Sequence, residues 1–325
     1  MKKLICVMLT ILMTISLFAG CGSTTDSASV DYEIAIVQQL DHSSLDEIRE
    51  AIKEQLNALA AAQNLTIHIE EFNGQNDPSV LNQIGAQVVS DGYDAIIPIA
   101  TIAAQCMVTA AEGKNIPIIY AAISNPEEAG LTGFANVTGV SDALNTAFIL
   151  DMMFAVDPDI QTVGLLYSNS EPNSTTPIRD AKAYLDAKGI AYIEKTGNTA
   201  DEVITAASAL VGRCDAVFTP TDNAVMNVAP SVAEILTEAG IPHYTGADSF
   251  VLAGAFATCG VNYTELGIYA AGMAMDILLG GETPEYHVMD GGIITVNTDT
   301  AKALNVDYSA FSAMANTVTE VTTAG

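Results

Sequence analysis

Short apolar runs alternate with helical patterns along almost the whole chain, and no other feature limits the architecture as strongly. Ten runs read as strands: 34–37, 66–72, 95–100, 116–122, 162–167, 191–195, 216–220, 242–246, 256–261 and 293–296. Between them apolar residues recur three and four apart. Leu45, Ile48, Ile52, Leu56 and Leu59 fall on one helix face, as do Leu81, Ile84 and Val88. Gly189 and Gly240 close helical runs just before the next strand, as C-cap glycines do. The strands are apolar throughout rather than alternating, so both of their faces are covered. That pattern predicts an α/β fold with parallel sheets between helical layers.

The pattern repeats. Asp94-Ala95 opens one apolar strand and Asp215-Ala216 opens another; each strand ends at a polar residue and leads through a helix to an Ile-Pro strand, Ile116-Pro117 or Ile241-Pro242. With 325 residues, this echo points to two similar Rossmann-like lobes rather than one large domain. No Pro- or Gly-rich linker divides them. Crossings are expected near 139–142, 262–264 and 282–284. These assign 32–140 with 264–282 to an N-terminal lobe, and 141–262 with 284–325 to a C-terminal lobe, hinged on three interlobe crossings.

The N-terminus is a targeting segment. Met1-Lys2-Lys3 is basic, residues 4–18 are an uncharged apolar run, and Leu17-Phe18-Ala19-Gly20-Cys21 follows. The run is too short for a spanning helix and reads as a signal peptide over 1–20. Ala19-Gly20 before Cys21 resembles the bacterial lipobox, which implies lipid on Cys21 and an extracytoplasmic, membrane-anchored protein. Residues 21–31 are then a polar tether. Cys106, Cys214 and Cys259 remain, in apolar contexts without metal-ligand spacing, and read as buried thiols.

Charge and motifs exclude more than they assign. The net charge is −28, which argues against nucleic acid as a partner, since phosphate recognition needs a basic patch. His42, His68, His243 and His287 form no zinc pattern, and no P-loop, dinucleotide fingerprint or nucleophile elbow occurs. No cofactor, metal or catalytic residue is expected, and the chain reads as a non-enzyme.

The strand ends carry the binding chemistry, because open α/β sheets bind ligands beyond their carboxyl ends. Candidates are Asp41 and His42, Ala100 and Thr101, Ser124, Asn169, Ser170, Asn173 and Ser174, Thr221, Asp222 and Asn223, and Asp248. Thr101 stands at a helix N-terminus, suited to a carboxylate or to plain capping. Asp222 and Asp248 could pair with an ammonium, and capping is again the competing role. Together they suggest a zwitterion held between the lobes. Tyr120, Phe134, Tyr167 and Tyr244 lie near strand ends as possible ring contacts.

Several stretches carry a family resemblance. They are Asp41-His42-Ser43-Ser44-Leu45-Asp46, Ile99-Ala100-Thr101-Ile102-Ala103-Ala104-Gln105, Asn136-Val137-Thr138-Gly139-Val140-Ser141-Asp142, the run from Leu166 to Ser174, Pro220-Thr221-Asp222-Asn223 and Asn262-Tyr263-Thr264-Glu265-Leu266-Gly267. The chain resembles substrate-binding lipoproteins of ABC transporters of the tryptophan and aromatic amino-acid type, with the class I periplasmic-binding-protein fold. It departs from them at Ser43, where Pro is common, and at Pro172, where Ala is frequent. The resemblance implies a receptor that closes on an amino acid, aromatic or hydrophobic, and hands it to a permease with its ATPase. A nucleoside or sugar receptor, or a sensor subunit presenting its ligand to a membrane kinase, are the alternatives.

Overall fold

The computed structural model describes residues 30–315 and 317–324. The signal peptide, Cys21 and most of the tether lie outside the described residues. The chain builds two sheets of the same winding. In the first, β1 (Tyr32–Gln38), β2 (Ile67–Asn73), β3 (Ala95–Ile99), β4 (Ile118–Ala121) and β5 (Val137–Ser141) are joined by α1 (Ser43–Ala62), α2 (Pro78–Asp91) and α3 (Thr101–Ala110). α4 (Thr146–Val156) opens the second. There β6 (Thr162–Tyr167), β7 (Ala191–Thr196), β8 (Ala216–Thr219), β9 (His243–Thr245) and β10 (Ala257–Gly260) alternate with helices. Those helices are α5 (Thr175–Lys188), α6 (Ala200–Ser208), α7 (Asn223–Met226) with α8 (Ala229–Glu238), and α9 (Asp248–Leu252). α10 (Tyr263–Leu278) returns to the first lobe and precedes β11 (His287–Val288); β12 (Ile293–Asn297), α11 (Thr298–Leu304) and β13 (Val318–Val321) complete the second.

The strand orders are β2-β1-β3-β4-β5-β11 and β7-β6-β8-β9-β10-β12-β13. The first sheet is parallel throughout. The second departs from the expectation at one pair, because β12 runs antiparallel to β10. β10 leaves its sheet at the edge where the chain re-enters, so the returning strand must run back along it.

The repeated Asp-Ala pair has a physical reason. Asp94 accepts the Glu33 N–H at the start of β1, and Asp215 accepts the Gln161 and Thr162 N–H groups at the start of β6. β3 and β8 lie beside those strands in equivalent places. Each Asp therefore clips the start of the neighbouring strand.

The chain passes between the lobes at Ser141–Asn145, at Gly260–Asn262 and at Met289–Gly292. The third crossing corrects the expected one near 282–284. His287 and Val288 pair with Val140 and Ser141 of the first sheet, so 284–288 belongs with the N-terminal lobe and not the C-terminal one. The predicted face of α1 is buried at Leu45, Ile48, Ile52 and Leu56, and α10 covers it. Gly267 of α10 lies so close to the Ile48 carbonyl and the Ala51 methyl that no side chain would fit there. Cys106, Cys214 and Cys259 are buried free thiols, as expected. No helix among the described residues is long and apolar enough to cross a membrane.

Candidate functional site in the interlobe cleft

The carboxyl ends of both sheets face each other across a cleft, the place where this winding binds ligands. On the N-terminal side β3 ends at Ala100, whose φ of 76° and ψ of 161° belong to a region almost reserved for glycine. Holding alanine there costs on the order of 1–3 kcal/mol, and such strain gathers at ligand sites. Ala100 accepts the first bond of α3 from Ala104 and presents buried Thr101 and the helix N-terminus to the cleft. The Ile102 N–H at that terminus donates to Gln39 Oε1 at 3.2 Å. Ser124, beyond β4, and His42, before α1, complete this wall.

On the C-terminal side Asp222 caps α7. Its carboxylate accepts from Val225 N at 3.0 Å, Ser168 N at 2.7 Å and Ser174 Oγ at 2.6 Å. Asn173 donates to the Thr221 carbonyl, and Ser249 and Phe250 of α9 add a hydroxyl and the one aromatic ring of this wall. Asp142 of the first crossing and Tyr263 at the second form the floor. The Asp142 carboxylate accepts from Ser124 Oγ at 3.2 Å, and the Tyr263 hydroxyl stands 3.5 Å from its other oxygen.

Three carboxylates are buried around this cleft, Asp142, Glu171 and Asp222, and among the described residues no Lys or Arg forms an ion pair with any of them. Burial pushes the Asp142 carboxyl up to about 6, against the hydrogen bonds from Ser124 and Tyr263. Burial also raises Glu171, with the neighbouring Asp222 charge adding to it, and raises Asp222 itself. His42 is lowered by burial and stays neutral. The Asp222 oxygens are saturated by donors of their own lobe. Among the described residues, the second Asp142 oxygen meets no side chain closer than the Tyr263 hydroxyl at 3.5 Å. Two buried polar atoms on cavity-lining residues, His42 Nδ1 and Asn173 Oδ1, have no partner among the described residues. The site therefore offers a negative charge on its floor, a free acceptor and hydroxyls on both walls, and a helix N-terminus on the N-terminal wall.

The lobes touch directly. Ser44 Oγ donates to Ser249 Oγ at 2.6 Å, His42 Nε2 lies 3.0 Å from Asn223 Oδ1, and Ser124 Oγ lies 3.2 Å from Thr221 Oγ1. The cavity they enclose is about 30 Å³, room for a water or two. This is a closed cleft. A larger space of about 660 Å³ lies against all three crossings and shares Asp142 and Tyr263 with the cleft, which makes those two residues a partition.

Of the residues singled out from sequence, His42, Ala100, Thr101, Ser124, Asn173, Thr221, Asp222 and Asn223 line the cavity together. Ser174 stands behind them and holds Asp222. Four expectations are corrected. Asp41 is exposed and faces Arg49 and Gln38. Asn169 and Ser170 are exposed; Asn198 ties the Asn169 backbone, and Ser168 holds the Ser170 side chain. Asp248 turns to the outer side of α9 toward Glu47, and its neighbour Ser249 enters the cavity instead. None of Tyr120, Phe134, Tyr167 and Tyr244 reaches the cavity; Phe250 and Tyr263 supply its rings. Gln39 and Glu171 read from sequence only as polar residues following β1 and β6, and neither they nor Asp142 were chosen as binding residues. Asp142 stood in a quoted motif, directly after the strand that becomes β5.

Residues 33–318 match the family model described as ABC transporter substrate binding protein. The chain belongs to that family. Substrate-binding proteins of this kind are receptors and not enzymes, and they work outside the cytoplasm. A tyrosine-binding protein of Clostridioides difficile is 31% identical, covering 94% of this chain and 93% of its own. An ABC domain from Streptococcus pneumonia in complex with L-Trp is 28% identical with a TM-score of 0.82, covering 89% of this chain and all of its own. A ligand-free, open substrate-binding protein with adhesive properties from Clostridium difficile is 32% identical, covering 90% and 100%, with a TM-score of 0.68. This substrate-binding protein is thus closer in shape to the L-Trp complex than to the open form, although its identity to the latter is higher. That ranking agrees with the direct contacts across the cleft.

Proposed function

We propose that the protein is the lipid-anchored receptor of an ABC importer for an aromatic amino acid, handing its ligand to a membrane permease with its ATPase. The observation that carries this reading is the pairing of an incompletely satisfied buried carboxylate, Asp142, with a hydroxyl-lined helix N-terminus at Thr101 in a cleft that supplies no cation of its own. An α-amino acid brings the missing charge as its ammonium, and its carboxylate suits the α3 end. Phe250 and Tyr263 offer faces to an aromatic side chain. The tyrosine- and L-Trp-binding relatives support this choice of side chain.

Ligand pockets commonly span roughly 300–1,000 Å³, so the closed cavity must open before a ligand enters and re-form around it. A thermal-shift series tests the ligand class, since a molecule that binds only the folded protein raises its melting temperature. L-Tryptophan or L-tyrosine should raise it, and nucleosides and sugars should not. A rise with a nucleoside or sugar alone would replace the amino-acid reading.

The anchor follows from Ala19-Gly20-Cys21 and the polar run after it. Stable anchoring needs two lipid signals, because a single acyl chain binds only marginally. Cys21→Ser should therefore move the protein from the membrane fraction to the soluble fraction. Continued sedimentation of the variant with membranes would refute lipid on Cys21.

A further inference from the structure

Glu171 lies at the centre of a set of hydrogen bonds that crosses the cleft twice, and the binding site itself does not use it. It is 2% exposed. Gln39 Nε2 of the N-terminal lobe donates to its Oε1 at 3.1 Å, and Asn223 Nδ2 of its own lobe donates to its Oε2 at 2.8 Å. Both amides are themselves held from the N-terminal lobe. Gln39 takes the Ile102 N–H at the α3 terminus, and Asn223 meets His42. Gln39 also bonds Asn76. The charged or titratable groups facing this set are Asp222, from the α7 cap, and His42, from the start of α1; Asp142 on the crossing also borders the cavity.

We propose that Glu171 is the latch of the closed form: a positioning residue that ties the lobes through Gln39 and Asn223. The assignment rests on the opening and closing of the lobes about their three crossings, and not on which ligand is bound. In an open cleft Glu171 is hydrated and ionises like any exposed glutamate. In the closed cleft burial and the neighbouring Asp222 charge raise its pKa, and they outweigh the Asn223 and Gln39 hydrogen bonds, which lower it. The closed form then binds more protons than the open form. Closure is favoured at low pH and weakens as pH rises toward the raised value, by at most about tenfold per pH unit for one proton. His42 acts in the opposite direction, since burial lowers it, but only below about pH 6.5 where the free imidazole is charged. Between about pH 6.5 and about pH 8 His42 contributes little, and the buried pair of Glu171 and Asp222 carries the proton uptake.

Small-angle scattering on the protein from residue 22 onward, without added ligand, tests the latch. The radius of gyration should grow between about pH 6.5 and about pH 8 in the wild type. In Glu171→Gln, which keeps an acceptor and removes one of the two titrating groups, it should grow much less. In Glu171→Ala, which removes the bridge, it should be large at both ends. A wild-type radius independent of pH, the same rise in Glu171→Gln, or a Glu171→Ala protein as compact as the wild type at low pH would each overturn the proposal. Because no ligand is present, failure of the aromatic amino-acid reading leaves this outcome unaffected.

Discussion

Replacing Asp142 by Asn should weaken binding of L-tryptophan and of L-tyrosine at least tenfold while leaving the fold in place. The substitution keeps shape and removes charge. A charge-assisted hydrogen bond contributes roughly 1.5–3 kcal/mol, and about 1.4 kcal/mol is a decade in affinity. The ligand ammonium left in a water-poor cleft without its counter-charge adds to the loss. The variant should also lose its preference for the amino acid over the des-amino acid. Asp142 sits at about 6 in the ligand-free protein, and an ammonium beside it lowers that value. The bound state thus favours the ionised form, and wild-type affinity is full above that value and declines as pH falls through it. Asp142→Asn should lack this acid limb. Calorimetric titrations of both proteins with both ligand pairs over a pH series read all three effects, and an unchanged affinity in the variant would remove Asp142 from the site.

Asp222→Ala should act on a different quantity. Its carboxylate is committed to Ser168 N, Ser174 Oγ and Val225 N, all within one lobe. Truncation leaves two buried backbone donors without an acceptor, at about 1–3 kcal/mol each, so stability should fall by about 2–6 kcal/mol. Urea unfolding followed by circular dichroism measures it as a shift of the midpoint. A midpoint unchanged in Asp222→Ala would mean that the carboxylate is free to serve the ligand, which is the role that sequence reasoning assigned to Asp222 or Asp248.

That exchange of roles shows what a linear reading reaches. Apolar runs and Gly-ended helices locate ten strands, because burial on both faces leaves a continuous signal. β5 escaped it: Val137-Thr138-Gly139-Val140-Ser141 is fully buried but half polar, and Gly139 is required because the Tyr120 ring and carbonyl fill the space of a side chain. β11 is two residues long and is defined only by its partner β5, so the third crossing could not be placed from the sequence. The polar residues after each strand were legible as a set, since strand ends converge in this fold. Their individual aims were not. At the start of α9 one residue is about 100° of rotation, enough to send Asp248 outward and Ser249 into the cavity. Asn169 and Ser170 belong to the same polar run as Asn173 and Ser174, but the loop folds back on Ser168 and Asn198 before the chain turns inward at Pro172. Glu171 looked like one more acid in a chain with 39 acidic residues. Only the approach of Gln39 from the other lobe distinguishes it.

In the proposed function this cleft closes on the ammonium and carboxylate of an aromatic amino acid. A crystal structure of the complex with L-tryptophan tests it most directly. The ligand nitrogen should lie at hydrogen-bond distance, about 2.7–3.2 Å, from the Asp142 carboxylate, with the ligand carboxylate at the Thr101 end of α3. A ligand whose ammonium meets Asp222 or solvent, or whose carboxylate points away from α3, would rule out this mode of binding.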